Sequence, residues 1–284
     1  MTLSYNYAVK QRKFNISIGG FFKWVLLIAM SVFIIFPFLM VLFNSFKTPQ
    51  EYIQTSVFSI PKEFYLGNYK TVFVEGNILT GFINSAIFIV VACATNCFLG
   101  TLAAYALGRF DFKLKKAVTW IYMLALFIPT TTTQVVIFSI IQKLGIYNTY
   151  FAGFLLYAGT NIVMINIYRQ QLDEIPYSLD EAAMIDGASY FKIYRIIILP
   201  LLKPAIVTAI IINLVSVYSD LFSIYLYMPS IKTVTYVLYS FAVENSTQWT
   251  VMSAAIVLAL IPSLIIYFTC QKLLYAGLVD GSVK

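Results

Sequence analysis

Histidine is absent from this chain, which excludes Ser-His-Asp and Cys-His catalysis and the commonest kind of catalytic zinc site. Charge is scarce as well. Only 11% of the 284 residues are charged and 60% are apolar, a balance that a soluble surface does not tolerate. Cysteine is limited to Cys93, Cys97 and Cys270, all inside apolar runs. Cys93 and Cys97 stand four apart on one helical face, a spacing that suits a metal pair. With no histidine and no acid nearby, they read as small packing residues, and no metal site is expected. A phosphate loop is also missing: Gly76-Asn-Ile-Leu-Thr-Gly81 has the glycine spacing, but Phe82 and Ile83 stand where lysine and Ser or Thr are required. The chain is therefore expected to bind no cofactor of its own, so any ATP-driven role needs a separate ATPase.

What the sequence has instead is long apolar runs. A membrane-spanning helix needs about 20 apolar residues, and six segments qualify: roughly 21–43, 82–107, 118–141, 151–168, 204–228 and 251–273, the fourth short and irregular. A barrel would alternate apolar and polar positions over segments of about ten residues. Phe82 to Leu107 is apolar on all sides, so the expected fold is all-α, with six transmembrane helices. Fourteen Lys and Arg fall in the N-terminal, 108–117, 169–203 and C-terminal segments, against five in 44–81, 142–150 and 229–250. Positive charge stays on the cytoplasmic side, which puts both termini there. The net charge of +7 is mainly this topology signal, and no nucleic-acid partner is expected. The first apolar run is longer than a signal-peptide core and has no small-x-small site before Asn44, so it reads as a retained span.

The connection 169–203 is long and polar, with Asp173, Glu174, Asp180, Glu181 and Asp186. Ser178 and Asp180 are candidate N-caps for a helix over about 179–186. Gly187 then allows a turn, and an amphipathic stretch from Ala188 to Ile198 runs until Leu199-Pro200 ends it. Such an element suits docking, with Ala182, Ala183 and Met184 as an apolar knob among charges. An ordinary interfacial segment is the other reading.

Glu181-Ala182-Ala183, Gly187 and Ile197-x-Leu199-Pro200 together resemble the EAA loop of the inner-membrane permease subunits of binding-protein-dependent ABC importers. The flanks are similar to the carbohydrate, maltose-permease-like branch: Ala104-Tyr-Ala-Leu-Gly-Arg109-Phe, Leu144-Gly-Ile-Tyr-Asn-Thr-Tyr150, Ile175-Pro176, and the tail Gly277 to Lys284. The likeness covers nearly the whole chain from about residue 20. It implies the type I ABC importer permease fold in a bacterial or archaeal inner membrane, with a cytoplasmic segment 1–20, a permease domain 21–274 and a cytoplasmic tail 275–284. It also implies a second homologous permease, two ATPase subunits that use ATP and Mg, an extracellular solute-binding protein and a sugar substrate. Glu181, Ala182, Ala183, Met184, Asp186, Gly187, Ile197, Leu199 and Pro200 become the ATPase-coupling residues, and the tail a secondary contact.

The substrate path is less defined. Asp220 is the only acid inside an expected span, and an intramembrane acid faces protein or water. It lies in Tyr218-Ser-Asp-Leu221 where the family commonly has Trp-Asn-Asp-Phe, so a helix-bracing role competes with a sugar contact. Asn161, Asn166, Asn213, Tyr218, Tyr225 and Tyr227 are further path residues, with helix-to-helix bonding as the alternative. A permease for another small solute and an ion-coupled secondary transporter also stay open. The latter would need internal repeats and an ion relay.

Overall fold

This computed structural model describes residues 18–243 and 248–280, and all regular structure among them is helical. Lys10, Arg12 and Lys13 of the N-terminal segment and Gly281 to Lys284 of the tail lie outside the described residues. Helix α1 (Ile18–Ser45) leads into the short α2 (Pro49–Gln54) and α3 (Gly67–Val74), and α4 (Ile78–Arg109) then runs for 32 residues. Next come α5 (Lys115–Ala125), α6 (Thr130–Lys143), α7 (Tyr150–Tyr157), α8 (Ile162–Asp173) and α9 (Ser178–Ile185). A continuous rod follows, made of α10 (Tyr190–Ile193), a wide π turn over Tyr194–Ile198, and α11 (Leu199–Leu201). The remaining helices are α12 (Lys203–Ser219), α13 (Phe222–Tyr227), α14 (Val234–Val243) and α15 (Trp249–Asp280).

The first, second and sixth expected spans are single helices, within α1, α4 and α15. The other three are broken. Pro129, which has no N–H for the ladder, stands in extended backbone (ψ 131°) and divides the third between α5 and α6. The fourth parts into α7 and α8 around Gly159 (φ +138°), with a 47° bend. The fifth ends at Asp220, whose ψ of 93° leaves the helical region. By length and composition three helices among the described residues can cross a membrane, or up to five when each strongly bent pair counts as one. The expected irregularity of the fourth span is the bend between α7 and α8, and the breaks in the third and fifth were not expected.

Helix α4 is the centre of the bundle, packing against α7, α8, α12 and α14. Its buried positions Gly81, Ser85, Phe88, Ala92, Asn96, Gly100 and Ala104 recur every three or four residues, a stripe of mostly small side chains. Small residues let helix backbones approach closely where lipid supplies no hydrophobic contrast. A Cβ on Gly100 would stand 2.6 Å from the ring of Tyr168, which is fully buried on α8 and donates its hydroxyl to Asn96 Oδ1 at 2.9 Å. Gly100→Ala is expected to cost about 1–3 kcal/mol of overpacking, read as a lower melting temperature of the purified protein.

The segment 44–81 is built around buried polar groups. Asn68 donates to the carbonyls of Ser45 and Lys47 at 2.8 Å each, and Lys47 Nζ donates to Ser56 O at 2.9 Å. Burial lowers the Lys47 pKa from its ordinary value, with Glu51 acting the other way. The segment 229–250, expected as an outer connection, holds α14. Val237 and Phe241 of that helix are buried in one cluster with Val72, Ile78, Ala254 and Ala255.

Candidate functional site

Helix α9 ends in a Schellman cap, the arrangement that places a glycine in left-handed backbone just past a helix. Gly187 has φ +76°, its N–H donates to Met184 O at 3.0 Å, and the Ala188 N–H reaches back to Ala183 O at 2.9 Å. Gly187 therefore does make the bend read from the sequence. At the other end the reading is corrected. Tyr177 occupies the cap position without a side-chain bond, and Ser178 is the first helical residue. Asp180 caps nothing: it is buried and turned toward α4.

That buried carboxylate is the anchor of the loop. Asp180 Oδ2 lies 3.3 Å from Arg109 Nε as an ion pair, with side-chain exposures of only 3% and 10%, and Tyr105 donates its hydroxyl to Asp180 Oδ1 at 3.3 Å. Arg109 also donates from a terminal nitrogen to Ile175 O at 2.7 Å, and its guanidinium lies 5.6 Å from the Tyr177 ring. One turn further into α4, Thr101 and Tyr194 share a hydroxyl hydrogen bond of 2.8 Å. Rings complete the joint, with Tyr105 against Phe110 and Tyr194, and Phe110 against Tyr190. A buried ion pair that also receives further hydrogen bonds fixes geometry more than it adds net stability. The loop is thus a lever clamped to the last two turns of the central helix.

The clamp decides which face of α9 is free. Ala183 and Met184 turn inward and pack, with Ala188, Ile197 and Leu199, on the cluster of Tyr105, Leu172, Ile193, Tyr194 and Ile198. Leu179, Glu181, Ala182, Ile185 and Asp186 are exposed, Ile185 to 86%. Of the expected knob of Ala182, Ala183 and Met184 only Ala182 is exposed, beside Ile185, because the helical period puts positions 180, 183 and 184 on the clamped side. Sequence reasoning missed Ile185, Tyr105 and Arg109. The last two sat in the Ala104–Phe110 segment and carried a signal, since Arg109 is a lone charge on the last turn of a 32-residue apolar helix.

Beyond Gly187, Ser189 caps α10 by accepting from the Lys192 N–H. Leu199-Pro200 was expected to end this stretch, but the helix continues through it. The π turn just before, closed by Leu199 N–H to Tyr194 O, loosens the backbone where a proline would otherwise crowd the carbonyl four residues back. The break comes at Leu202, where the rod meets α12 at 73°. Helix α9 is therefore tied to α4 by the ion pair and leads through the rod into α12.

The substrate-path residues are not brought together. Asn161 caps α8, accepting from the Met164 N–H at 3.1 Å, and Asn213 donates to its own helix at Ala209 O. The Tyr218 hydroxyl donates to Ala259 O at 2.8 Å, bracing α12 on α15, while buried Tyr227 reaches Gln134 O. Asp220 uses both oxygens: Oδ1 accepts from the Ser223 N–H at 3.0 Å and Oδ2 from the Tyr157 hydroxyl at 3.1 Å. Tyr225 is half exposed and lies in an aromatic group with Tyr236 and Tyr239. If Asp220 only braces, Asp220→Asn keeps uptake near the parent level, whereas Asp220→Ala loses a cap worth about 1 kcal/mol. Initial uptake rate and melting temperature of the two variants separate bracing from substrate contact.

An all-helical apolar bundle with a polar loop clamped to its central helix has the form of a polytopic membrane protein. Residues 96–279 match the family of binding-protein-dependent transport system inner membrane components, and the chain belongs to that family. It is 31% identical over 252 residues to a melibiose/raffinose/stachyose import permease of Bacillus subtilis, covering 87% of this chain and 91% of that one. It is 30% identical over 275 residues to a multiple sugar-binding transport system permease of Streptococcus mutans, covering 94% and 98%. The fold matches a chain in the crystal structure of a bacterial ABC transporter that imports the acidic polysaccharide alginate, with a TM-score of 0.81, 22% identity and coverage of 95% and 99%. The chain is thus an inner-membrane component of a binding-protein-dependent ABC importer.

Proposed function

We propose that this permease carries a carbohydrate, an oligosaccharide, and forms half of the translocation path with a second, homologous permease. Relatives named for melibiose, raffinose and stachyose and for multiple sugars align along nearly the whole chain, which supports the substrate class. Two separate ATPase subunits consume ATP and Mg, and an extracellular solute-binding protein delivers the sugar to a receiving surface that includes 44–81. Both termini are cytoplasmic in this reading, and so is the loop 169–203.

The observation that carries the coupling role is the clamp of Asp180 on Arg109 and Tyr105, which leaves the opposite face of α9 exposed. Glu181, Ala182, Ile185 and Asp186 meet the ATPase, and Gly187 sets the exit angle. Ile197, Leu199 and Pro200 belong to the rod that moves α12. Closure of the ATPase pair then drives a rigid-body rotation of the helices attached to the loop.

Vesicles containing the assembled transporter test this reading. Sugar uptake is expected to survive a collapsed ion gradient and to stop on ATP depletion, while the purified chain alone hydrolyses no ATP. Uptake that follows the ion gradient would overturn the assignment.

A further inference from the structure

Three cations that take no part in the Asp180–Arg109 clamp converge on one cavity. Lys115 and Lys116 open α5 and Arg169 comes from α8; with Asp111, Thr119, Trp120 and Met123 they line a cavity of about 480 Å³. Asp111 meets Lys115 at 3.0 Å but is itself 99% exposed, so water screens what it offsets. Arg169 Nε is buried and has no hydrogen-bond partner among the described residues. A helix favours acids in its first turn, yet α5 begins with two lysines, adding their charge to the partial positive charge of the helix end. The cavity is built for an anion.

Its lining is graded from charged to apolar. Beyond the lysines, Trp120 is 64% exposed and Met123 is exposed too, and the outward face continues through Ile121 and Leu124. Charge, then tryptophan, then aliphatic residues is the order a helix shows where it enters a bilayer through the headgroup layer. A soluble anion or a partner's carboxylate would use the cations and leave the apolar wall bare. An anionic headgroup that carries an acyl chain covers both.

We propose that this cavity binds an anionic phospholipid of the surrounding membrane, its phosphate held by Lys115, Lys116 and Arg169 and its chain lying on Trp120 and Met123. Basic pockets between membrane helices hold such headgroups by the same electrostatics. The proposal does not depend on which solute is carried.

The test uses the full chain with Trp24→Phe and Trp249→Phe, which leaves Trp120 as the sole tryptophan, in phosphatidylcholine vesicles. Phosphatidylglycerol with brominated chains is expected to quench Trp120 more than brominated phosphatidylcholine at the same fraction. Each cation removed lowers that preference roughly fivefold, and Lys115→Gln, Lys116→Gln and Arg169→Gln together abolish it. The exposed Lys116→Gln alone gives a partial loss if the triple variant does not fold. Equal quenching by the two lipids in the parent, or a preference unchanged in the variants, overturns the proposal. Displacement by inorganic phosphate, but not by sodium chloride at the same ionic strength, would make soluble phosphate the ligand. Loss of the preference when the ATPase subunits are added would make the cavity a protein contact. Either result also overturns it.

Discussion

Asp180→Asn is expected to lower sugar uptake by the assembled transporter by tenfold or more, although Asp180 faces away from the docking surface. The change removes the only carboxylate within 4 Å of Arg109 among the described residues, and the Arg109 side chain is 10% exposed. Removing one partner of a buried pair costs about 3–5 kcal/mol, since the remaining charge is left without compensation. Here that cost falls on the joint between α9 and α4, with the Tyr105 hydroxyl keeping an acceptor but losing the charged one. Glu181→Gln, one residue further on, is the internal comparison. Glu181 is exposed, so its variant should melt with the parent and lose only a docking contact. Melting temperature and uptake per ATP hydrolysed, taken on both variants, separate loss of the clamp from loss of the dock. An Asp180→Asn protein with parental stability and uptake would remove the clamp from the account.

The second large effect is at Gly187, where space and backbone make opposite demands. Nothing lies within 4 Å of a Cβ built there, so a side chain meets no obstacle. The cost is conformational, because φ is +76° and an L-residue pays about 1–2 kcal/mol in that region. Asparagine tolerates left-handed backbone and should retain most uptake, alanine should retain less, and valine little. Proline is the most severe, since its φ is fixed near −65° and it removes the N–H that donates to Met184 O. Hydrolysis should persist in the valine and proline variants while uptake falls, the mark of an uncoupled transporter. Full transport by Gly187→Pro would count strongly against the coupling role.

The parts of this molecule legible in the sequence are those set by local rules. The turn at Gly187 follows from the steric freedom of one residue, and α1, α4 and α15 follow from unbroken apolar length. The broken spans were harder to read. The apolar runs around Pro129, Gly159 and Asp220 remain long enough on average to read as single spans, and the backbone shows where each helix stops. The role of Asp180 was illegible for another reason: an acid in the first turn of a helix suits a cap or the dipole, and the ion pair that claims it lies 71 positions earlier at Arg109. Asn161, Asn213, Tyr218 and Asp220 read as path residues with helix bracing as the alternative, because the sequence does not show their partners, and each makes an internal bond.

The most direct test of the central claim is a cysteine scan of α9 in the assembled transporter, cross-linked to an ATPase subunit carrying a cysteine in its receiving cleft. With Cys93, Cys97 and Cys270 replaced, Ala182→Cys and Ile185→Cys are predicted to cross-link and Ala183→Cys is not, because α9 turns its 180, 183 and 184 positions onto α4 and the rod. Cross-linking at Ala183 with none at Ala182 or Ile185 would contradict the account.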